Sequence, residues 1–259
     1  MFIAVGIGNT NTAIALCEGP HRLTVERRPT DTVKAGDFSA WLDALRDTAG
    51  QGRPEGAVLA SVVPGLTAPC VDALADFTGA KPLVVDAYIR TDIDFSRYTG
   101  LLGSDRIAVC AAAWDRYEAP LIVIDMGTAT TFNVVDRNGF FLGGAILPGL
   151  RTGLASLSRH TAQLPEIGLK EPPGVIGHNT EECLLAGAYY GTAAMVDGMI
   201  NRLDESLGGD ATVVMTGGNG SAVAPLIQNR MIYEPDLLLE GLAALYRKNR
   251  VPVPAGSPQ

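Results

Sequence analysis

The sequence has few residues of the kinds that build disulfide frameworks and metal clusters. Only four cysteines and three histidines occur among 259 residues. The cysteines, at positions 17, 70, 110 and 183, lie far apart, form no CxxC pair and have no paired histidine, which argues against disulfides and against a zinc site. Each cysteine lies in an apolar stretch, so we expect reduced thiols packed in the interior.

Basic patches and long apolar runs are also missing. Twenty Lys and Arg residues face 28 Asp and Glu residues, a net charge of −8, and the short basic cluster at 247–250 is expected to be a solvated helix end. We therefore predict no nucleic-acid partner. The N-terminus lacks a basic region, and no unbroken apolar run reaches about 18 residues. The sequence thus predicts a soluble, cytoplasmic protein with no membrane contact.

Two common nucleotide-binding motifs are absent. No GxxxxGK[ST] segment occurs, which excludes a P-loop protein. The segment beginning Gly6-Ile7-Gly8 resembles the start of GxGxxG but lacks the third glycine and leads into a predicted strand. A Rossmann dinucleotide site is therefore disfavoured.

The sequence does contain a repeated strand–turn–strand unit. Apolar runs at 2–7 and 121–125 each lead into a turn rich in glycine and threonine and then into a second apolar run. An offset of 119 residues matches Gly8 with Gly127, Thr12 with Thr131, and Gly6 with Asp125. We predict two similar halves, 1–118 and 119–259, each an α/β domain. Helices are expected near 38–49, 71–77, 107–117, 150–158, 180–207, 221–227 and 235–249.

The two turns predict a phosphate-binding clamp. Glycine lets backbone N–H groups approach phosphoryl oxygens closely, and threonine and asparagine add side-chain donors. A third candidate is Thr216-Gly217-Gly218, where a strand opens onto a helix and could meet a nucleotide. Asp125 ends an apolar strand, where a cation is the obvious partner for its carboxylate. The predicted nucleotide-binding residues are Gly8, Asn9, Thr10, Asn11, Gly127, Thr128, Thr130, Thr131 and Gly217.

Three further features each have a structural and a functional interpretation. In the segment Gly103-Ser104-Asp105-Arg106, Asp105 either caps the following helix or accepts a proton from a substrate hydroxyl, with Arg106 holding a carboxylate beside it. His178 is either a surface residue or a ligand contact. The small residues Gly187, Gly191, Ala194 and Gly198 share one stripe of the helix predicted at 180–207, and they serve either core packing or a dimer interface.

Taken in order, the motifs resemble those of type III pantothenate kinases. The resemblance covers essentially the whole chain, and its most specific parts are DxGTATT and GxDR. The matching segments are GNTN at 8–11, SVVP at 61–64, GSDR at 103–106, DMGTATT at 125–131, GGAILPG at 143–149, GHNT at 177–180, TGG at 216–218 and PDLLLEGL at 235–242.

The resemblance implies two actin-like (ribonuclease H-like) domains, each a mixed central sheet flanked by helices. It implies a homodimer that uses ATP, Mg²⁺ and a monovalent cation such as K⁺ or NH₄⁺ to phosphorylate pantothenate, the first step towards coenzyme A. By the same resemblance Asp105 is the general base, while Gly103, Ser104 and Arg106 contact pantothenate. Thr180 would contact substrate from the partner subunit, and Asp125 would bind the cation.

One position departs from the family pattern. The family's first motif reads DxGNT, whereas this chain reads Gly6-Ile7-Gly8-Asn9-Thr10. Because losing one preorganised charged group typically costs about 10²–10³ in rate, two alternatives stay open beside the kinase. One is a catalytically impaired, kinase-like protein that binds or regulates. The other is a kinase for a different small hydroxylated acid.

Overall fold

The computed structural model describes residues 1–18, 22–33, 35–48 and 53–250. They form two compact units whose segments alternate along the chain. The first comprises Met1–Asp92, Leu101–Ala112 and the described chain from Leu239, and the second comprises Ile93–Gly100 and Ala113–Leu238. The predicted domain bounds, 1–118 and 119–259, followed the repeated strand–turn–strand unit in the sequence, and they stay a prediction.

Five strands in the first unit form one mixed sheet in the order β3-β2-β1-β4-β5. β1, β2 and β3 pair antiparallel, whereas β4 and β5 continue from β1 in parallel. The strands are β1 (Phe2–Ile7), β2 (Asn11–Glu18), β3 (Arg22–Pro29), β4 (Ala57–Ser61) and β5 (Leu83–Val84).

Two helices, α1 (Ala35–Thr48) and α2 (Pro64–Thr78), contribute to the main core of this unit. On α1, the predicted apolar face of Phe38, Trp41, Leu42 and Leu45 is almost completely buried. The helix predicted at 71–77 was too short, because α2 begins at Pro64, whose fixed φ suits the first helical position. Gly79, with φ of 75°, ends α2 in the left-handed conformation.

The second unit repeats the same strand arrangement in the order β10-β9-β6-β7-β8. Again three strands pair antiparallel and two continue in parallel. Each strand of the first sheet thus has a counterpart five numbers later, as a duplicated fold requires. The strands are β6 (Leu121–Met126), β7 (Ala129–Val135), β8 (Phe141–Pro148), β9 (Thr212–Thr216) and β10 (Ile232–Tyr233).

The remaining helices flank these sheets. They are α3 (Ser104–Arg116), α4 (Leu150–His160), α5 (Thr180–Ala186), α6 (Thr192–Leu207), α7 (Gly220–Val223) and α8 (Leu237–Asn249), and the turn Gly187–Gly191 between α5 and α6 is a π-helix. In the first unit α8 approaches α3 very closely, since a Cβ on Gly241 would lie 1.9 Å from the carbonyl oxygen of Ala108.

The stretch Thr180–Leu207 is the one part of the described chain long and apolar enough, by length and composition alone, to cross a membrane. This is weak evidence of a span, because the core helix of a soluble protein passes the same test. One side of α6 does belong to the core, through Ala193, Val196 and Ile200.

The cysteine prediction holds for three residues and is wrong for the fourth. All four thiols are free, and Cys17, Cys70 and Cys110 are buried. Burial raises the pKa of Cys17 and Cys110 to about 12 and that of Cys70 to about 11. Cys183 is exposed instead.

Candidate active site

The first hairpin turn, between β1 and β2, is held by a threonine that follows β3. The N–H of Gly8 donates to the carbonyl of Asn11 at 3.0 Å, and a Cβ on Gly8 would stand only 3.0 Å from that oxygen. The Thr30 hydroxyl donates to the Gly8 carbonyl at 2.7 Å, and the Thr30 N–H donates to the Thr10 carbonyl at 2.9 Å. These bonds fix the turn while Asn9, Thr10 and Asn11 stay exposed.

The second hairpin turn, between β6 and β7, is held on one side by the start of α4. Its Gly127 N–H donates to the carbonyl of Ala129 at 3.0 Å. The Thr128 carbonyl accepts from the Gly149 N–H at 3.0 Å and from the Thr152 hydroxyl at 2.7 Å. Gly149 must be glycine, since a Cβ there would lie 2.2 Å from the Gly127 carbonyl oxygen.

The loop after β9 holds the other side of the second turn. Asn219 donates its backbone N–H to the Met126 carbonyl at 3.0 Å and its side-chain amide to the Gly127 carbonyl at 2.9 Å. The predicted nucleotide segment Thr216-Gly217-Gly218 therefore lies directly against the second predicted phosphate turn. The sequence analysis did not select Asn219, although its position one residue after the TGG segment was a usable signal.

Asp125 and Gly217 are in close contact in this cradle. Gly217 has φ of 97°, and a Cβ on it would lie 2.5 Å from Asp125 Oδ1 and 2.5 Å from the Met126 nitrogen. Only glycine fits, so the backbone of Gly217 passes immediately beside the carboxylate. A carboxylate next to a close backbone approach can bind a cation that accompanies phosphate.

The two sheets carry different side chains at the positions that pair across the strands with Gly6 on β1 and with Asp125 on β6. In the second sheet Asp125 is flanked by Thr131 on β7 and Thr216 on β9. In the first sheet Gly6 is flanked by Ala13 on β2 and Ala60 on β4. The predicted match of Gly6 with Asp125 is therefore confirmed, and its neighbours lack polar groups as well.

The constant offset of 119 is wrong beyond the turn. Thr12 pairs with Ile7, and Thr130 pairs with Met126, so Thr12 corresponds to Thr130 rather than to Thr131. The second turn is one residue shorter, and the offset falls to 118. Sequence alignment without a gap could not detect this deletion, because threonine occupies both 130 and 131.

The two corresponding threonines are both completely buried. The Thr12 hydroxyl lies 3.0 Å from that of Thr30, whereas the Thr130 hydroxyl has no hydrogen-bond partner. Thr131 lies in the same row as Asp125, and its hydroxyl accepts from the Asn133 side chain at 3.2 Å. Of these two predicted phosphate contacts, Thr131 is therefore the better placed relative to Asp125.

In the first unit, α3 presents the predicted acid–base segment. Asp105 lies in the first turn of α3, is partly exposed, and accepts from the Arg106 N–H at 2.8 Å. Its Oδ1 would stand 2.4 Å from a Cβ on Gly103, so glycine makes room for it. Ser104 and Arg106 are buried, and the Ser104 hydroxyl donates to the Ser61 carbonyl at 3.2 Å. The buried Ser104 contacts β4 and thereby positions the start of α3.

Helix α5 begins at Thr180, where the helix predicted at 180–207 was expected to begin. Its cap is Asn179, whose side-chain oxygen accepts from the Glu182 N–H at 2.9 Å. Glu182 in turn accepts from the His178 N–H at 2.8 Å, and this bond is the main cause of a lowered pKa for Glu182. His178 is exposed and uses its backbone in this contact. Thr180 itself is exposed.

An apolar groove of about 540 Å³ opens between α4 and the α5–α6 helix. Thr180, Cys183, Gly187 and Gly191 lie along it, and a Cβ on either glycine would meet no atom within 4 Å. Ala194, a third member of the predicted small-residue stripe, is also exposed. Packing among the described residues of this chain therefore does not require these glycines.

No group of three or more His, Cys, Asp or Glu side chains that could hold a metal occurs among the described residues. The residues around Asp125 nevertheless suit a cation shared with a phosphate ligand, because one carboxylate stands beside a backbone cradle that any Cβ would fill. The first hairpin has no carboxylate at the matching position.

Comparison with known families and proteins agrees with the motif analysis. A family model described as type III pantothenate kinase matches residues 2–202. The chain is 35% identical over 253 residues to a type III pantothenate kinase of Agathobacter rectalis, covering 96% of this chain and 97% of the relative. It is 36% identical over 254 residues to one of Moorella thermoacetica, covering 96% and 100% respectively.

Solved structures share the fold at low sequence identity. A ROK family glucokinase from Streptomyces griseus, in complex with glucose and AMPPNP, superposes with a TM-score of 0.57 at 13% identity, over 96% of this chain and 99% of that one. A putative 2-dehydro-3-deoxygalactonokinase from Sinorhizobium meliloti gives 0.55 at 11% identity, over 99% of each chain. These likenesses show the fold alone, and they confirm the predicted duplicated actin-like α/β architecture.

Proposed function

The chain belongs to the type III pantothenate kinase family, and on that basis we propose that it transfers the γ-phosphoryl group of ATP to a hydroxyl of pantothenate. It is an enzyme of the kinase class, with pantothenate and ATP as substrates, and its reaction is the first step of coenzyme A biosynthesis. The observation that carries this conclusion is the 35% identity, spread over 96% of the chain, to a relative of that activity.

We propose Asp105 as the general base. Its carboxylate is partly exposed at the first turn of α3. A general base must lie within hydrogen-bond distance of the hydroxyl that it deprotonates, and this exposure leaves room for a substrate hydroxyl. It would take the proton of the attacking pantothenate hydroxyl as the oxygen bonds to the γ-phosphorus and the bond to ADP breaks. Arg106 supplies the positive charge for the pantothenate carboxylate, and Gly103 leaves space beside Asp105.

We propose that the hairpin turns and Gly217 bind the nucleotide. Backbone N–H groups and the hydroxyls of Thr10, Thr128 and Thr131 are the donors offered to phosphoryl oxygens. Asp125 would hold the divalent cation that accompanies ATP. When bound, this cation would neutralise the negative charge on the transferring phosphoryl group. A monovalent cation, K⁺ or NH₄⁺, is proposed to bind near the same carboxylate.

We also propose a homodimer in the cytosol that buries the groove beside the α5–α6 helix. The supporting observations are the exposed small residues of that stripe and the apolar side chains Ile146, Leu157, Val175 and Ile176, which are 44–72% exposed in the second unit. Gly191→Arg would place a long charged side chain in the groove and shift the mass measured by light scattering to that of one chain. A dimeric Gly191→Arg would contradict this interface.

The assay for the proposed function follows 4′-phosphopantothenate formation from ATP and pantothenate. Asp105→Asn should lower kcat by at least about 10², while Asp115→Asn, on the same helix outside the proposed site, should keep wild-type activity. Activity of Asp105→Asn equal to wild type would reject Asp105 as the base. Product formed only from another hydroxy acid would favour the alternative acceptor, and nucleotide binding without product would favour the impaired, regulatory protein.

A further inference from the structure

Asn133 is a buried polar residue to which the nucleotide site proposed above gives no role. It lies on β7, two residues after Thr131, and is completely shielded from solvent. Alternate residues of a strand face the same side of a sheet, so Asn133 and Thr131 share one face. Asp125 pairs directly with Thr131, and Val123 pairs directly with Asn133. The carboxylate proposed to hold the cation therefore lies on this face as well.

Two hydrogen bonds fix the orientation of the Asn133 amide. Its nitrogen donates to the Val123 carbonyl and to the Thr131 hydroxyl oxygen, each at 3.2 Å. A backbone carbonyl can only accept, so the group that faces Val123 must be the amide NH₂ and not the amide oxygen. The same nitrogen can only donate, so it must also be the donor towards Thr131.

This orientation determines what the Thr131 hydroxyl can do. A threonine hydroxyl has one hydrogen to donate and two lone pairs, and its hydrogen otherwise rotates to suit its surroundings. Because the Asn133 amide donates to one lone pair, the hydroxyl hydrogen cannot be used in that contact. It is left for an acceptor elsewhere, on the face of the sheet that carries Asp125.

We propose that Asn133 is a positioning residue, which acts on the nucleotide through Thr131. By donating to the Thr131 hydroxyl, it makes that hydroxyl a donor to a phosphoryl oxygen of the nucleotide held at the second hairpin turn. The proposal rests on the kinase function proposed above. A hydrogen bond to a charged phosphoryl oxygen is stronger than a neutral one, and successive hydrogen bonds polarise one another. The buried amide thus strengthens the contact without touching the ligand.

A double-mutant cycle on kcat/KM for ATP, at saturating pantothenate, tests this role. Thr131→Val keeps the shape of the side chain without the donor and should lower kcat/KM for ATP about tenfold to a hundredfold. Asn133→Leu, which has a similar branched shape without the amide, should lower it about three- to tenfold. In the Thr131→Val background, Asn133→Leu should cause a further loss of less than about twofold, because the hydroxyl through which it acts is gone.

A purely structural role for Asn133 predicts a different result. Loss of a buried amide would then disturb the sheet whether residue 131 is threonine or valine, so the loss of activity would persist in both backgrounds. Asp204→Ala is the control for stability, since it removes a hydrogen bond to the Ala211 N–H just before β9, whereas the proposed site lies at Thr216, where β9 ends. This variant should lower Tm and keep the wild-type kcat/KM for ATP.

Two results of the cycle would overturn the proposal. One is an equal loss from Asn133→Leu in both backgrounds, and the other is wild-type kcat/KM for ATP in folded Asn133→Leu. If circular dichroism shows that Asn133→Leu does not fold, Asn133→Ala takes its place in the cycle. If neither variant folds, the side-chain amide resonance of Asn133 decides. It should shift when AMPPNP binds to the wild type but not when AMPPNP binds to Thr131→Val, and an unshifted resonance in AMPPNP-bound wild type would refute the role.

The kinase function is judged separately from this inference. Wild-type protein that forms 4′-phosphopantothenate but gives either contrary result in the cycle keeps its function and loses the role of Asn133. Wild-type protein that binds AMPPNP without forming product loses the function, and the same cycle run on AMPPNP dissociation constants then tests Asn133. Wild-type protein that binds no nucleotide would reject both.

Discussion

Replacing Gly217 with alanine places a methyl group where the structure has no space for one. The added Cβ would stand 2.5 Å from Asp125 Oδ1, 2.5 Å from the Met126 nitrogen and 2.6 Å from the Met126 carbonyl carbon. Two of these three atoms belong to the backbone, so rotation of a side chain cannot relieve the overlap. Either β6 or the loop that follows β9 must shift.

The magnitude follows from two contributions. Gly217 has φ of 97°, and a left-handed conformation costs a residue with a Cβ about 1–2 kcal/mol. Forced backbone displacement in a packed region costs about 1–3 kcal/mol more. A total of about 2–5 kcal/mol corresponds to a fall in Tm of roughly 5–15 °C for a protein of this size. Displacement of Asp125 should also lower kcat/KM for ATP by about tenfold to a hundredfold.

Gly218→Ala is the matched control. Gly218 is the next residue, its φ is not positive, and a Cβ on it would meet nothing within 4 Å. Thermal unfolding and initial rates at varied ATP should show a near-wild-type Gly218→Ala and a damaged Gly217→Ala. If the two variants have the same Tm and the same kcat/KM for ATP, the close contact of Gly217 with Asp125 does not exist as described.

Three further substitutions test other contacts of the two turns and of the second unit. Asn219→Ala removes the side-chain amide that donates a hydrogen bond to the Gly127 carbonyl. In steady-state kinetics it should raise the KM for ATP about three- to tenfold and leave the KM for pantothenate unchanged. Equal changes in both KM values would argue against a role specific to the second turn. Thr30→Val leaves the Gly8 carbonyl without its hydroxyl donor and should lower unfolding free energy in urea by about 1–3 kcal/mol, whereas an unchanged midpoint would show that this anchor is dispensable. Asp197 is partly desolvated, but hydrogen bonds from residues 228 and 229 leave its pKa below the ordinary 3.8. Its contribution to folding stability is therefore present above pH 3.8 and is lost as the pH falls through the pKa of the folded state. The difference in stability between Asp197→Asn and wild type should shrink below about pH 4, and a pH-independent difference would contradict this reasoning.

Local patterns predicted much of this structure because their information lies within short segments. The apolar face of α1 follows from helical spacing around Phe38 and Trp41, and both are buried as predicted. The strands that flank each turn follow from apolar runs bounded by glycine. By contrast, β3 was missed because it is an edge strand with a charged sequence, RLTVERRP, whose apolar alternation is limited to Leu23 and Val25.

Contacts between distant segments were not predictable in the same way. Thr30 and Asn219 hold the two turns from elements that lie far along the chain, and no spacing rule connects them to those turns. The small-residue stripe illustrates the same limit, because its spacing suits a buried or an exposed face equally. Only packing shows that Gly187 and Gly191 face outward.

The sequence by itself determined the family, the duplicated fold and the unequal pair Gly6 and Asp125, since each depends on residue identity and local order. Tertiary structure alone decided that the second turn is one residue shorter, so that Thr12 corresponds to Thr130. It also showed that Gly6 belongs to a row without polar side chains on three strands. Strand pairing creates such a row from residues that are distant in the chain, and hydrogen-bond register, rather than sequence spacing, sets which residues meet.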